Sequence, residues 1–98
     1  MKIVVTQQLT DIGGNPLPQN LHMRKIFVDA LLADYKDEQN VSGEQKLERY
    51  ELALKINAAD DVQLKVEQAA LLKKLVAKAY TPLVVGQVWK AIEAAGKA

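Results

Sequence analysis

Few side chains of this protein could carry out catalysis. The chain has one histidine, His22, and no cysteine, so a thiolate nucleophile, a disulfide or a two-histidine metal site cannot form within it. Ser-His-Asp catalysis would have to use His22, which lies in the first turn of a predicted helix beside Arg24 and Lys25. No second catalytic partner accompanies it in a recognisable motif. We therefore interpret His22 as a surface histidine and predict no catalytic residues and no enzymatic activity.

The acidic residues do not match a known metal-binding or acid–base pattern. Four oxygen-bearing residues cluster after the first predicted helix: Asp34, Asp37, Glu38 and Asn40. Calcium requires alternating oxygen ligands in a loop with a turn glycine, and this cluster has neither feature, so we interpret it as a solvated helix end. Asp60 and Asp61 are adjacent, which suits turn or capping residues better than a general acid–base pair. We expect no metal and no cofactor.

A strip of lysines on the third predicted helix could contact phosphates. Lys73, Lys74 and Lys78 belong to it, and Lys65 and Lys90 lie near it in the expected fold. No aromatic residue alternates with these lysines to stack on bases. The net charge is +1, whereas nucleic-acid binders usually carry a clear basic excess. A nucleic-acid-binding regulator that uses this strip is therefore the alternative function, not the first.

Large apolar residues supply the remaining candidates. Trp89, the only tryptophan, either packs the fourth helix against its neighbours or anchors an interface, since tryptophan is enriched at binding hot spots. The first helix carries an apolar arc, including Phe27 and Leu31, that is wider than a small core easily covers. Such surplus apolar surface indicates self-association or a protein partner. The candidate interface residues are Phe27, Leu31 and Trp89.

The N-terminal fifth of the chain is predicted to form β-structure and turns. Residues 2–9 are rich in β-formers and predict a short strand. Residues 10–20 contain glycines and prolines that predict a turn region, here a hairpin arm. A short β-like piece at residues 62–64 could add a strand beside the first one. Helix one is expected to begin near Asn20, which would cap it, and to cover the stretch LHMRKIFVDALLADYK.

Helix two shows the clearest local signals. Ser42 and Gln45 fit a capping box, in which each side chain satisfies a backbone donor of the other residue. Leu47, Tyr50 and Leu54 follow at helical spacing and define one apolar stripe, with Ala53 beside them. We expect this stripe to face the core.

Two more helices complete the prediction. The third covers the stretch VEQAALLKKLVAKAY, and the fourth begins with Thr81 as cap and Pro82 at the first helical position. Gly86 lies inside the fourth helix and costs roughly 1 kcal/mol relative to alanine. We interpret it as a point where another backbone approaches closely.

These elements predict a mainly α (α+β) fold: a short N-terminal β-hairpin or strand pair followed by a compact four-helix arrangement. We expect one domain over residues 1–98, with 1–19 as a β-hairpin arm and 20–98 as a helical body whose amphipathic helices bury their apolar sides together. The longest apolar run is far shorter than the roughly 20 residues that span a bilayer, and the first residues do not resemble a signal peptide. We expect a soluble, cytoplasmic protein with no membrane contact.

Several phrases together carry a resemblance that covers nearly the full length. They are the LTD-G-P hairpin, RKIFVDALLADY, DEQNVSGEQKLERYELALKI and ALLKKLVAKAYTPLVVGQVWKAIE. The layout resembles small uncharacterised proteins of tailed bacteriophages and prophages, a group from which no functional residue can be carried over. The resemblance implies a protein that acts by binding in the cytoplasm of an infected bacterium. We predict a non-enzymatic phage-type protein–protein interaction module that acts in virion assembly or binds and inhibits a host protein, and that self-associates.

Overall fold

Two short strands and four helices make up the computed structural model, which describes residues 1–96. The elements in chain order are β1 (Lys2–Val4), α1 (Met23–Leu32), α2 (Gly43–Asn57), β2 (Asp61–Gln63), α3 (Val66–Ala79) and α4 (Pro82–Gly96). A single 3₁₀ turn precedes α1. The fold is mainly helical with a two-stranded antiparallel sheet, which confirms the predicted fold class.

The sheet joins the start of the chain to its middle. Ile3 of β1 lies opposite Val62 of β2, so the predicted pairing of the second β-like piece is confirmed with a shift of one residue. The strand predicted over residues 2–9 is shorter than expected. Beyond β1 the backbone forms hydrogen bonds with the start of α1, where the Arg24 N–H donates to the Val5 carbonyl oxygen at 2.8 Å.

The hairpin predicted before α1 is reduced to an arm with two isolated bridges, which pair Thr10 with Pro16 and Gln8 with His22. At its tip the Asp11 carboxylate accepts the Asn15 backbone N–H at 2.9 Å, and this bond lowers the pKa of Asp11. Gln87 of α4 holds the base of the arm: its amide oxygen accepts the Thr10 N–H at 3.0 Å, and its amide nitrogen donates to the Thr10 carbonyl oxygen at 2.8 Å. The arm is therefore fastened to the helical body by paired hydrogen bonds.

Helix α1 begins later and ends earlier than the sequence predicts. Its N-cap is His22 and not Asn20, whose φ of 55° places it in the left-handed region that asparagine tolerates. The helix ends at Leu32 instead of continuing through Tyr35. The Tyr35 hydroxyl folds back and donates to the Ala30 carbonyl oxygen at 2.6 Å, which satisfies one of the unpaired acceptors at the helix end.

Helices α2 and α4 begin where the local signals place them. The predicted capping box of α2 is confirmed: the Gln45 N–H donates to the Ser42 hydroxyl at 3.1 Å, and the Ser42 N–H donates to the Gln45 side chain at 3.0 Å. Helix α4 starts at Pro82, as expected. The Thr81 carbonyl oxygen accepts the first helical bond, from the Val85 N–H at 3.0 Å.

The core lies where α1 packs against α2 and α3, with α4 covering α3 and β1. Phe27 of α1 is fully buried and is among the largest side chains at its centre. The ten largest of the fully buried side chains are Phe27, Leu9, Met23, Ile26, Ile56, Leu72, Leu75, Val5, Val76 and Val88. They come from both ends of the chain and from all four helices, so the helices do bury apolar sides together.

No other backbone approaches Gly86 closely, so the interpretation of this glycine as a point of close contact is wrong. A Cβ added to this residue would have no heavy atom within 4 Å, other than those of its own helix and its neighbours, and the position is exposed. The glycine therefore weakens α4 without making room for another element.

We expect Gly86→Ala to stabilise the protein by about 0.5–1 kcal/mol, because alanine loses less backbone entropy in a helix than glycine does. Urea unfolding would measure the change. Gly14→Ala is the matched control: this glycine has φ of +90°, so the same substitution should destabilise the protein. A loss of stability in Gly86→Ala would contradict the prediction.

Candidate functional site

Helix α2 exposes a row of large apolar side chains on the face opposite the core. Its buried residues are Leu52, Ala53 and Ile56. Leu47, Tyr50 and Leu54 are 54%, 53% and 52% exposed, and their spacing places them on one side of the helix. We call these three residues the α2 stripe. The prediction that the stripe faces the core is wrong, because α2 has two apolar faces and α1 packs against the other one.

Charged residues border the α2 stripe on both sides. Lys46 immediately precedes Leu47 and lines a groove of about 330 Å³ between the end of α1 and the start of α2. Glu51 follows Tyr50 and lines a groove of about 480 Å³ between α2 and the start of α3. An apolar centre with a charged rim is the usual anatomy of a protein interface.

A largely buried ion pair lies on the core side of α2. The Arg49 guanidinium binds both oxygens of Glu38 at 2.8 Å, and the two side chains are only 12% and 11% exposed. The Lys78 ammonium of α3 lies 3.5 Å from Glu38 and 3.1 Å from Asp37. The interpretation of this acidic cluster as a solvated helix end is therefore wrong for Glu38.

The environment of Glu38 makes its carboxyl group unsuitable as a general acid or base near neutral pH. Hydrogen bonds from Arg49, with a further contribution from Lys78, lower its pKa from 4.5 to about 2 despite its partial burial. A general base works best with a pKa near the working pH. Tyr35, whose ring lies 5.5 Å from the Lys78 ammonium, has its pKa raised by burial. The cluster ties the loop between α1 and α2 to α2 and α3, and it has the character of a structural network.

The other polar candidates have ordinary structural partners. Nδ1 of His22 donates to the Asn20 carbonyl oxygen at 2.9 Å. The Asp60 carboxylate accepts a hydrogen bond of 2.9 Å from the Arg24 guanidinium, and the Asp61 carboxylate lies 3.5 Å from the Lys2 ammonium. Over residues 1–96, no group of three or more histidine, cysteine or acidic side chains is placed to hold a metal ion.

Two of the three lysines in the predicted strip already form ion pairs with carboxylates. The Lys73 ammonium lies 3.4 Å from Glu93 and 4.4 Å from the centre of the Trp89 ring. Lys78 is held by Asp37 and Glu38, as described above. Lys74 is exposed. A phosphate would have to compete with these carboxylates for Lys73 and Lys78, which does not favour the nucleic-acid alternative.

The structure does not gather the three candidate interface residues on one surface. Phe27 is fully buried and Leu31 is 3% exposed, so both are core residues in this conformation. Trp89 is half-buried against the core, and its indole N–H donates to the Lys73 carbonyl oxygen at 3.1 Å. Trp89 therefore joins α4 to α3, and the exposed apolar surface lies on α2 instead.

The sequence of α2 contains two apolar rows, and this is the signal for an exposed stripe. Leu47, Tyr50 and Leu54 form one row, and Leu52 and Ile56, four residues apart, form a second row on the opposite face. A helix with two such rows can bury only one of them in a small domain. The competing row was the observation that could have revealed an exposed stripe.

No protein-family model matches the chain, and no significant match was found among curated proteins or solved structures. Among the helices within residues 1–96, none is long and apolar enough to cross a membrane. Function therefore has to be inferred from the surface and the buried contacts described above.

Proposed function

We propose that the chain is a non-enzymatic protein–protein interaction module of phage type. It acts in the cytoplasm of an infected bacterium, in virion assembly or by binding and inhibiting a host protein. The observation that supports binding is the α2 stripe, in which three large apolar side chains are exposed side by side. Contiguous apolar surface with a polar rim is typical of interaction sites on small soluble proteins. The phage context is supported by the resemblance in layout.

The shape of the site favours a protein partner over a small molecule. Small-molecule sites are concave and cover most of the ligand, whereas the α2 stripe runs along the outward face of a helix. An exposed helical face with anchors at three- and four-residue spacing is suited to another helix or to a groove on a partner. Tyr50, at the middle of the stripe, is one of the residue types that are enriched at interface hot spots.

Site-specific photo-cross-linking would test the proposal. A photoreactive residue in place of Leu54, in the full chain expressed in bacteria, should form protein adducts, because this position is exposed on the stripe. The same residue in place of Lys90, which is exposed on α4, is the control. Adducts from position 54 should exceed those from position 90 and should fall when Leu47 and Tyr50 are changed to glutamine.

Two results would count against an interaction module at this surface. One is an adduct yield at position 54 no higher than at position 90, under conditions where both proteins are folded. The other is a yield that Leu47→Gln and Tyr50→Gln leave unchanged, which would show that the stripe does not bind the cross-linked protein.

A further inference from the structure

We propose that the α2 stripe is covered by a second copy of this chain, through a parallel, in-register pair of α2 helices. This inference rests on the proposed function, because it names the partner of the same surface. It is supported by two features of α2: the spacing of the apolar residues and the charges that border them.

The spacing is that of a short coiled-coil seam. With Leu47 at position a of a heptad, Tyr50 falls at d and Leu54 at the next a. All three are about half exposed and lie opposite the buried face, so a second helix can approach them without displacing the core. In a parallel pair each of these residues meets its own counterpart, and the apolar seam is continuous.

The bordering charges complement each other in the parallel arrangement. In the same heptad, Lys46 occupies position g and Glu51 the following position e, and both are exposed. The g side chain of one helix meets the following e side chain of its parallel partner, and such pairs set the partner and the orientation of coiled coils. Lys46 of each copy would therefore meet Glu51 of the other, which gives two ion pairs by two-fold symmetry.

The antiparallel arrangement is less favourable. In that orientation e positions meet e positions, so a pair centred on Tyr50 brings Glu51 close to Glu51 of the second copy. Like charges at such a contact are destabilising. The distribution of Lys46 and Glu51 thus selects one orientation of the same apolar seam.

The seam is short, so the pair is expected to be weak and reversible. Three half-exposed side chains cover much less than the roughly 800 Å² per partner of a standard interface. We expect a dissociation constant of about 10 µM to 1 mM, which a concentrated or locally enriched protein would reach.

Charge reversal tests the pairing. Sedimentation velocity over a concentration series should show that Lys46→Glu or Glu51→Lys weakens association by about 5- to 20-fold, because each reverses two symmetric contacts. The double variant, Lys46→Glu with Glu51→Lys, should return to within about 3-fold of the original protein. Glu48→Lys makes the same charge change outside the seam on α2 and should have little effect.

Cysteine cross-linking tests the orientation, and the chain has no cysteine of its own to interfere. Under mild oxidation, Leu47→Cys alone should form a disulfide-linked pair if the helices are parallel and in register. An antiparallel pair would instead form disulfides in a mixture of Leu47→Cys and Leu54→Cys, and this result would overturn the proposal.

Other outcomes separate this inference from the proposed function. No association up to about 1 mM, or failure of the double charge variant to recover, overturns self-pairing. If photo-cross-linking at position 54 then yields adducts only with another protein, the interaction module stands and the second copy is excluded as its partner. If position 54 yields no adducts at all, the proposed function fails as well.

Discussion

Phe27→Ala is expected to remove much of the stability of this protein, by about 3–5 kcal/mol. Phe27 is fully buried at the centre of the core, so its truncation loses apolar burial and leaves a cavity among the packed helices. A domain of this size is typically stable by only about 5–15 kcal/mol in total. Urea unfolding followed by the fluorescence of Trp89, the only tryptophan, would measure the loss.

Leu32→Ala is the matched control for Phe27. Leu32 belongs to the same helix but is 57% exposed, so its truncation should cost less than about 1 kcal/mol. Similar losses in the two variants would contradict the assignment of Phe27 to the core. The comparison also decides how a loss of binding in Phe27→Ala is interpreted, since an unfolded variant gives no information about an interface.

Glu38→Gln is expected to have the second largest effect, a loss of about 1–3 kcal/mol. The substitution keeps the shape of the side chain but leaves the Arg49 guanidinium, which is only 12% exposed, without its anionic partner. Urea unfolding at neutral pH would measure the loss. Glu48→Gln, an exposed position of α2, should change stability by no more than about 0.5 kcal/mol.

The effect of Glu38→Gln should depend on pH in a defined direction. The folded-state pKa of Glu38 is lowered from 4.5 to about 2, chiefly by the hydrogen bonds from Arg49. A carboxyl group whose pKa is lower in the folded state stabilises that state at every pH above its pKa in the unfolded chain. This contribution is lost as the pH falls through the pKa of the folded state. The difference between the original protein and the variant should thus be constant above about pH 5 and should shrink between pH 4.5 and 2. A difference that does not change over that range would show that the charge of Glu38 is not what stabilises the contact.

Local signals in the sequence were sufficient for several features of the fold. The capping box of Ser42 and Gln45 and the helix start at Pro82 involve residues close together in the chain, so their geometry does not depend on the rest of the fold. The short strand at Val62 was also recognisable from β-forming residues between turn signals. The end of α1 was less predictable, because the helix stops at Leu32 although apolar residues continue to Tyr35, whose hydroxyl donates to the Ala30 carbonyl oxygen.

The ion-pair network around Glu38 was not predictable from the sequence. Glu38, Arg49 and Lys78 belong to a loop and two helices, and only the packing of the helices brings the two cations within 3.5 Å of the Glu38 carboxylate. Nothing in the local pattern distinguishes Glu38 from its exposed neighbour Asp37. Its burial and its lowered pKa are properties of the assembled helices.

The sequence by itself determined the class of the protein: the four amphipathic helices, their caps and the apolar residues available for a core. Only the tertiary structure decided which apolar residues are buried and which are presented to a partner. It placed Phe27 and Leu31 inside and left Leu47, Tyr50 and Leu54 outside. The physical reason is that periodicity reveals the faces of a helix but not which face its neighbours will cover. On α2, with two apolar rows, that choice depends on contacts between residues far apart in the chain.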